Sequence, residues 1–124
     1  MDKFTDLTLA SKLECVYQFA KKEKKLSDEI IHLRGDKRKE QENELDKVKQ
    51  KKDFYWSIAM LSLDMIEEYD LILMKLHFYE GWKWDIAYAR AQIKGYRIGE
   101  GDRKHLIRLL TKISNEELDR LLKD

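Results

Sequence analysis

The residues best suited to chemistry in this sequence are basic, and they concentrate in its C-terminal third. Lys104, Arg108 and Thr111 are spaced by four and then three residues, so a helix would present them on one face. Side chains of these types hydrogen-bond to base edges in the major groove of DNA. Nearby basic residues could contact phosphates, namely Lys83, Lys94, Arg97, Arg103 and Lys112. A solvated charged face without any ligand would show the same pattern.

A second candidate surface is aromatic, and it consists of Trp82, Trp84 and Tyr88. If residues 82–93 form a helix, apolar side chains lie on two nearly opposite faces of it. One face would hold Trp82, Ile86, Ala89 and Ile93, and the other Trp84, Ala87, Tyr88 and Ala91. A helix that is apolar on both sides is buried or holds a partner. We therefore expect the three aromatic residues to form a partner-binding surface.

Residue types that carry catalysis or bind metals are sparse. His32, His77 and His105 are far apart in the sequence, and Cys15 has no second cysteine to form a C-x-x-C pair. We expect His77 to be a packed or surface histidine and Cys15 to be a small buried hydrophobe. The glycine-rich segment 95–101 lacks the G-K-[ST] ending of a phosphate-binding loop. The sequence therefore predicts no enzyme activity, no metal and no cofactor.

The elements that must position these side chains are predicted to be helices. The chain of 124 residues has no proline and only five glycines, and 40% of it is charged. Residues 5–34 read as one helix capped by Thr5 or Asp6, with Ser27 as a second cap if the helix breaks near 25–27. Gly35 and Asp36 predict the turn of an antiparallel hairpin.

The second helix of this hairpin has two candidate apolar faces. The first is a weak seam in which lysine and serine take two positions, formed by Leu45, Val48, Lys52, Tyr55, Ala59, Ser62 and Ile66. The other is formed by Phe54, Ile58, Leu61 and Met65, and it is widened by Tyr55, Ala59 and Ile66, which predicts burial against more than one neighbour. Because the weak seam would need further cover, we expect a homodimer.

The C-terminal half predicts several shorter helices. Asp70 would cap a helix that ends at Gly81, whose position fits a left-handed C-terminal cap. Helices 82–93 and 102–113 would follow, joined by a loop over 94–101, with Asp102 as a cap. Ser114 and Glu117 have the spacing of a capping box for a last helix over 115–123.

One pattern in this half resembles a known family. The order D-x-I-L-x-x-x-x-x-Y-E-G-x-x-x-x-I-A is formed by Asp70, Ile72, Leu73, Tyr79, Glu80, Gly81, Ile86 and Ala87. It resembles the opening of the helix-turn-helix in sigma-factor region 4 and in small phage regulators of the autolysin-regulatory (ArpU) type. The resemblance spans roughly residues 66–110, and Arg90 stands where the family usually has leucine. It implies a helix-turn-helix that binds DNA and regulates transcription.

Charge is distributed unevenly along the chain. The net charge is only +1, which is lower than is usual for a nucleic-acid-binding protein. Residues 64–80 carry five acidic residues and one lysine, whereas residues 82–112 carry eight basic and three acidic residues. An acidic helix is therefore followed by a segment that could provide a positive field toward DNA.

Together these patterns predict an all-α protein with a helical hairpin and dimerisation arm over residues 1–63. Residues 64–124 would form a helix-turn-helix-like domain packed on it as one compact unit. We expect a phage-type regulator whose partner is DNA, or host RNA polymerase or its sigma factor. The alternative is a small module that binds another host protein without contacting DNA. The lone cysteine and the lack of an apolar span or signal peptide predict a cytoplasmic protein without membrane contact.

Overall fold

The computed structural model describes residues 8–63 and 66–123, and within these ranges the chain is helical without any strand. The all-α class predicted from the sequence is confirmed. The helices are α1 (Leu9–Ile30), α2 (Gly35–Leu61), α3 (Glu68–Met74), α4 (Trp84–Ile93) and α5 (Glu100–Lys123). A π-helical segment, Lys75–Tyr79, continues α3 directly.

Helices α1 and α2 form the predicted hairpin, and the weak seam of α2 is the face that packs on α1. Val48 and Ala59 are buried there, and Tyr55 lies 5.5 Å from Phe19 of α1 between ring centroids. Lys52 is tolerated in this seam because its Nζ lies 2.5 Å from Glu23 Oε2. Helix α1 thus packs on the seam of α2, which we had expected a second copy of the chain to cover. Self-association stays a prediction.

The second candidate face of α2 is not its buried one. Phe54 is 50% exposed and Leu61 is 84% exposed, while Met65 lies outside the described residues. Both side chains lie about 100° around the helix from neighbouring residues of the seam, so they lie at its edge and not in the packed face. The stronger apolar pattern therefore did not identify the packed face.

The predicted start of the first helix differs from the observed one. Thr5 and Asp6 lie outside the described residues, and the cap of α1 is Thr8, whose side chain accepts a hydrogen bond from the Ser11 N–H. Helix α1 then continues without a break past Ser27, and Leu26 and Ile30 are buried in this last part of the helix. Burial of these two side chains outweighs the capping preference of one serine.

Asp70 was predicted as a cap but lies inside α3, which is preceded by Glu67. Its side chain is buried, and its Oδ1 lies 3.3 Å from His105 Nδ1 of α5. Gly81, in contrast, ends the π-helical segment with φ +75°, as the sequence predicted. A β-carbon at Gly81 would lie only 3.0 Å from Ala20 Cβ, so the turn packs closely on α1.

Helix α5 is continuous from Glu100 to Lys123, so the predicted break at Ser114 is wrong. Ser114 and Glu117 do accept backbone N–H groups, but these belong to Ala10 and Leu9 at the start of α1. At the other end of α5, Asp102 Oδ2 accepts a hydrogen bond from the Gly99 N–H over 2.9 Å. Asp102 therefore accepts this hydrogen bond from within the first turn of α5, two residues after the helix begins.

The two segments that the sequence separated near residue 63 share one core. Helix α1 contacts α2, the π-helical segment and α5, while α4 packs on α3 and the π-helical segment. Each element adds buried side chains to one cluster, including Leu13, Ala59, Leu73, Leu76, Ala87, Leu106 and Leu110. In the described part of the chain, no helix is both long and apolar enough to cross a bilayer.

Candidate functional site

A shallow groove lies between the start of α4 and the first half of α5. Its volume is about 580 Å³, and it is lined by Trp84, Arg103, Lys104, Ile107 and Arg108. We call it the Trp84 groove. It joins one predicted partner-binding residue to predicted base and phosphate contacts. The sequence had suggested two separate surfaces on different helices, and the fold brings them together.

Trp84 is held in place by stacking on a buried histidine. The ring centroids of Trp84 and His77 are 3.6 Å apart with an angle of 12° between the planes, and Tyr17 stacks on His77 at 4.5 Å. His77 Nδ1 lies 2.7 Å from the Trp82 carbonyl oxygen, so Nδ1 donates the hydrogen bond. Burial lowers the pKa of His77, which favours a neutral ring. Of the two alternatives expected for His77, a packed or a surface position, the structure has the packed one.

The cations of the groove lie near its aromatic wall. The guanidinium carbon of Arg103 is 5.9 Å from the Trp84 ring centroid, within the range of a cation–π contact. Arg103 and Lys104 also form partly exposed ion pairs with Glu100 outside the groove, over 3.3 Å and 4.0 Å. Arg108 has no acidic partner among the described residues, and its Nε donates to the Lys104 carbonyl oxygen. None of the five residues that line the groove is acidic.

The basic surface continues along α5 beyond the groove. Thr111 and Lys112 are exposed and line the adjoining depression with Arg108, as the helical spacing predicted. The sequence from Arg103 to Lys112 contains no aspartate or glutamate. Glu116 and Asp119 end the basic surface one to two turns further along. Three of the predicted phosphate contacts are exposed but lie outside the groove, namely Lys83, Lys94 and Arg97.

The three aromatic residues do not form one surface, so that prediction needs correction. Helix α4 begins at Trp84, and Trp82 precedes it. The Trp82 ring lies 3.3 Å from Lys24 Nζ and 3.7 Å from the Arg90 guanidinium carbon, in a different depression. Tyr88 is half-buried, and its hydroxyl has no hydrogen-bond partner among the described residues.

Helix α4 exposes apolar side chains to solvent on the face opposite the one that carries Trp84 and Tyr88. Ala87 and Ala91 are buried, whereas Ile86 is 40% and Ile93 85% exposed. The face that carries Trp84 and Tyr88 therefore points toward the core. The outward apolar face is the one that the sequence had grouped with Trp82.

Two contributors to the site were missed in the sequence. Ile107 lies four residues after Arg103 and three after Lys104, so helical spacing could have placed it beside them. The contact between His105 and Asp70 joins α5, which carries the groove's cations, to α3, and no local pattern indicates a pair 35 positions apart. One Asp70 oxygen, Oδ2, is buried without a partner among the described residues.

Within the described residues, no cluster of histidine, cysteine, aspartate or glutamate could hold a metal ion. Comparison with known proteins adds nothing to this geometry, because no family model, curated protein or solved structure matches the chain. The resemblance to phage transcription regulators therefore stays a prediction.

Proposed function

We propose that this protein is a non-enzymatic regulator that binds nucleic acid through the Trp84 groove and the adjoining basic face of α5. One observation carries the proposal, namely the grouping of Arg103, Lys104 and Arg108 in a groove without any acidic lining residue. Each cation that neutralises a phosphate releases counterions, which favours binding at low salt. The low net charge is compatible with this role because the stretch of α5 from Arg103 to Lys112 carries four basic residues and no aspartate or glutamate.

The proposed regulatory role rests on the resemblance of residues 66–110 to small phage transcription regulators. On that proposal the ligand is DNA, and host RNA polymerase or its sigma factor is the protein partner. The order of α4, a loop and α5 agrees with a helix-turn-helix, in which the second helix contacts DNA. Helix α5 offers Lys104, Arg108 and Thr111 on its exposed face for that purpose.

A protein-binding module is the second candidate, and the exposed apolar face of α4 supports it. Ile93 is 85% exposed and Ile86 40% exposed on a helix whose opposite face is packed. Exposed apolar surface of this kind commonly marks a protein contact. On this proposal Ile93→Asp abolishes capture of a host protein from a nuclease-treated bacterial lysate, whereas Lys104 and Arg108 are dispensable for that capture.

The nucleic-acid proposal is tested by fluorescence anisotropy with labelled duplex and single-stranded DNA over a range of salt concentrations. Changing Lys104 and Arg108 together to glutamine should weaken binding at least about tenfold and lower the salt slope by about two. The matched control changes Arg34 and Lys37 to glutamine, because both are exposed, carry the same total charge and lie in the hairpin, outside every surface proposed to bind. Circular dichroism verifies that both variants fold. Absence of salt-dependent binding to either DNA, or an equal loss in the control, would contradict the proposal.

A further inference from the structure

The indole of Trp84 packs on the protein on one side and also lines the groove. His77 is nearly parallel to it, with the ring centroids 3.6 Å apart, and covers part of one face, while Phe78 meets it edge-on at 5.9 Å. Because His77 stacks on one face, a ligand in the groove would meet the other face, beside the Arg103 guanidinium carbon at 5.9 Å from the ring centroid. Helix α4 and the His77 stack hold this aromatic surface in a fixed position.

The remaining groove residues suit a planar ring joined to an anion. Ile107 is 42% exposed and adds apolar surface beside Trp84, and the three cations surround both. A volume of about 580 Å³ lies within the range of small-ligand sites, roughly 300–1,000 Å³. A nucleobase has apolar faces for the indole and carries a phosphate for the cations. Arginine guanidinium planes such as that of Arg103 also stack on bases.

From this arrangement we infer that the groove takes an unpaired base of a single-stranded nucleic acid, stacked on Trp84. The inference rests on the proposed function and specifies its ligand. In a duplex the base faces are covered by neighbouring bases, and only the base edges are accessible. A fixed indole can reach a base face only where the base is unpaired or flipped out. An acidic peptide could use the cations, but it would have no need for the aromatic face.

The test uses Trp84 itself as a reporter, so the groove stays intact. Trp56 and Trp82 are changed to phenylalanine, which leaves Trp84 as the sole tryptophan. Oligothymidylate, a DNA hairpin duplex, inorganic polyphosphate and polyglutamate are then added separately. We expect oligothymidylate to quench the Trp84 fluorescence and to bind at least about tenfold more tightly than the duplex. Polyphosphate and polyglutamate should not quench it.

A second measurement removes the stacking surface. Trp84→Leu should weaken oligothymidylate binding about 5- to 150-fold, the equivalent of about 1–3 kcal/mol per stacked base, and weaken polyphosphate binding much less. The melting temperature shows whether Trp84→Leu is folded. If it is not, the quenching experiment on the protein with Trp84 as its sole tryptophan decides whether a base stacks there.

The outcomes separate the inference from the proposed function. Equal or tighter duplex binding without quenching overturns the unpaired base but leaves nucleic-acid binding in place. Failure of both DNAs to bind overturns the proposed function itself. Displacement of oligothymidylate by polyglutamate at equal charge overturns the inference in favour of an acidic protein partner.

Discussion

Glu117 Oε1 accepts a hydrogen bond from the Leu9 backbone N–H over 2.8 Å, although 108 positions separate the two residues. Ser114 Oγ does the same for the Ala10 N–H over 3.0 Å. Helix α5 therefore supplies two of the acceptors that the first turn of α1 needs. The contact joins the two ends of the described chain and orients α5, which carries the basic side of the Trp84 groove.

We predict that Ser114→Ala and Glu117→Ala each destabilise the protein by about 0.5–2 kcal/mol, the usual cost of losing a helix cap. Urea unfolding followed by circular dichroism measures this loss. Glu116→Ala is the matched control, because Glu116 is the exposed neighbour of Glu117 on the same helix. An equal loss in the control would show that general charge effects, and not the caps of α1, account for the change.

Two glycines with left-handed backbone allow a paired substitution experiment. At Gly35, where φ is +65°, an added β-carbon would have no heavy atom within 4 Å, whereas at Gly81, where φ is +75°, it would meet Ala20 Cβ at 3.0 Å. Gly35→Ala should cost about 1 kcal/mol from backbone strain alone. Gly81→Ala should lower stability by about 1–2 kcal/mol more than Gly35→Ala does, because α1 must also shift. Similar melting temperatures for the two variants would contradict close packing of the Gly81 turn on α1.

How far the sequence determines the fold can be judged from α2 and α5. Helical periodicity identified the seam of Val48, Tyr55 and Ala59, because a buried face repeats along a helix whatever covers it. It could not choose between this seam and the more apolar face of Phe54 and Leu61, since the choice depends on where α1 lies. Local pattern likewise recognised Ser114 and Glu117 as capping residues but assigned them to the wrong helix.

In the candidate site, too, the features that depend on spacing within one helix could be predicted, and those that depend on contacts between elements could not. The exposure of Lys104, Arg108 and Thr111 follows from their spacing on one helix. The separation of Trp82 from Trp84 depends on where α4 begins, and helix boundaries are weakly encoded in sequence. Burial of the Trp84 face depends on His77 and Tyr17, which lie on two other elements. No spacing within residues 82–93 contains that information.

Because His77 is buried in the stack with Trp84, the stability of the folded protein should fall as the pH is lowered. His77 is buried, and this burial is the largest cause that lowers its pKa from the ordinary value of 6.5. The hydrogen bond to the Trp82 carbonyl and nearby Glu14 oppose the shift, while Arg103 adds to it. The folded protein therefore binds a proton at His77 more weakly than the unfolded chain does. Stability from this residue is fully present above about pH 6.5 and is lost as the pH falls toward the folded pKa.

We predict that His77→Phe removes this component of the pH dependence. Between about pH 7.5 and about pH 5.5, wild-type protein should lose more stability than the variant, by at most about 1.4 kcal/mol per pH unit. The variant keeps an aromatic ring beside Trp84 but leaves the Trp82 carbonyl without its donor, so it should be less stable at every pH. Urea unfolding across the pH range measures both effects.

His32→Phe is the control, because His32 is exposed and lies at the end of the hairpin turn, far from Trp84 in sequence. Parallel stability curves for wild type and His77→Phe would show that His77 does not titrate with folding.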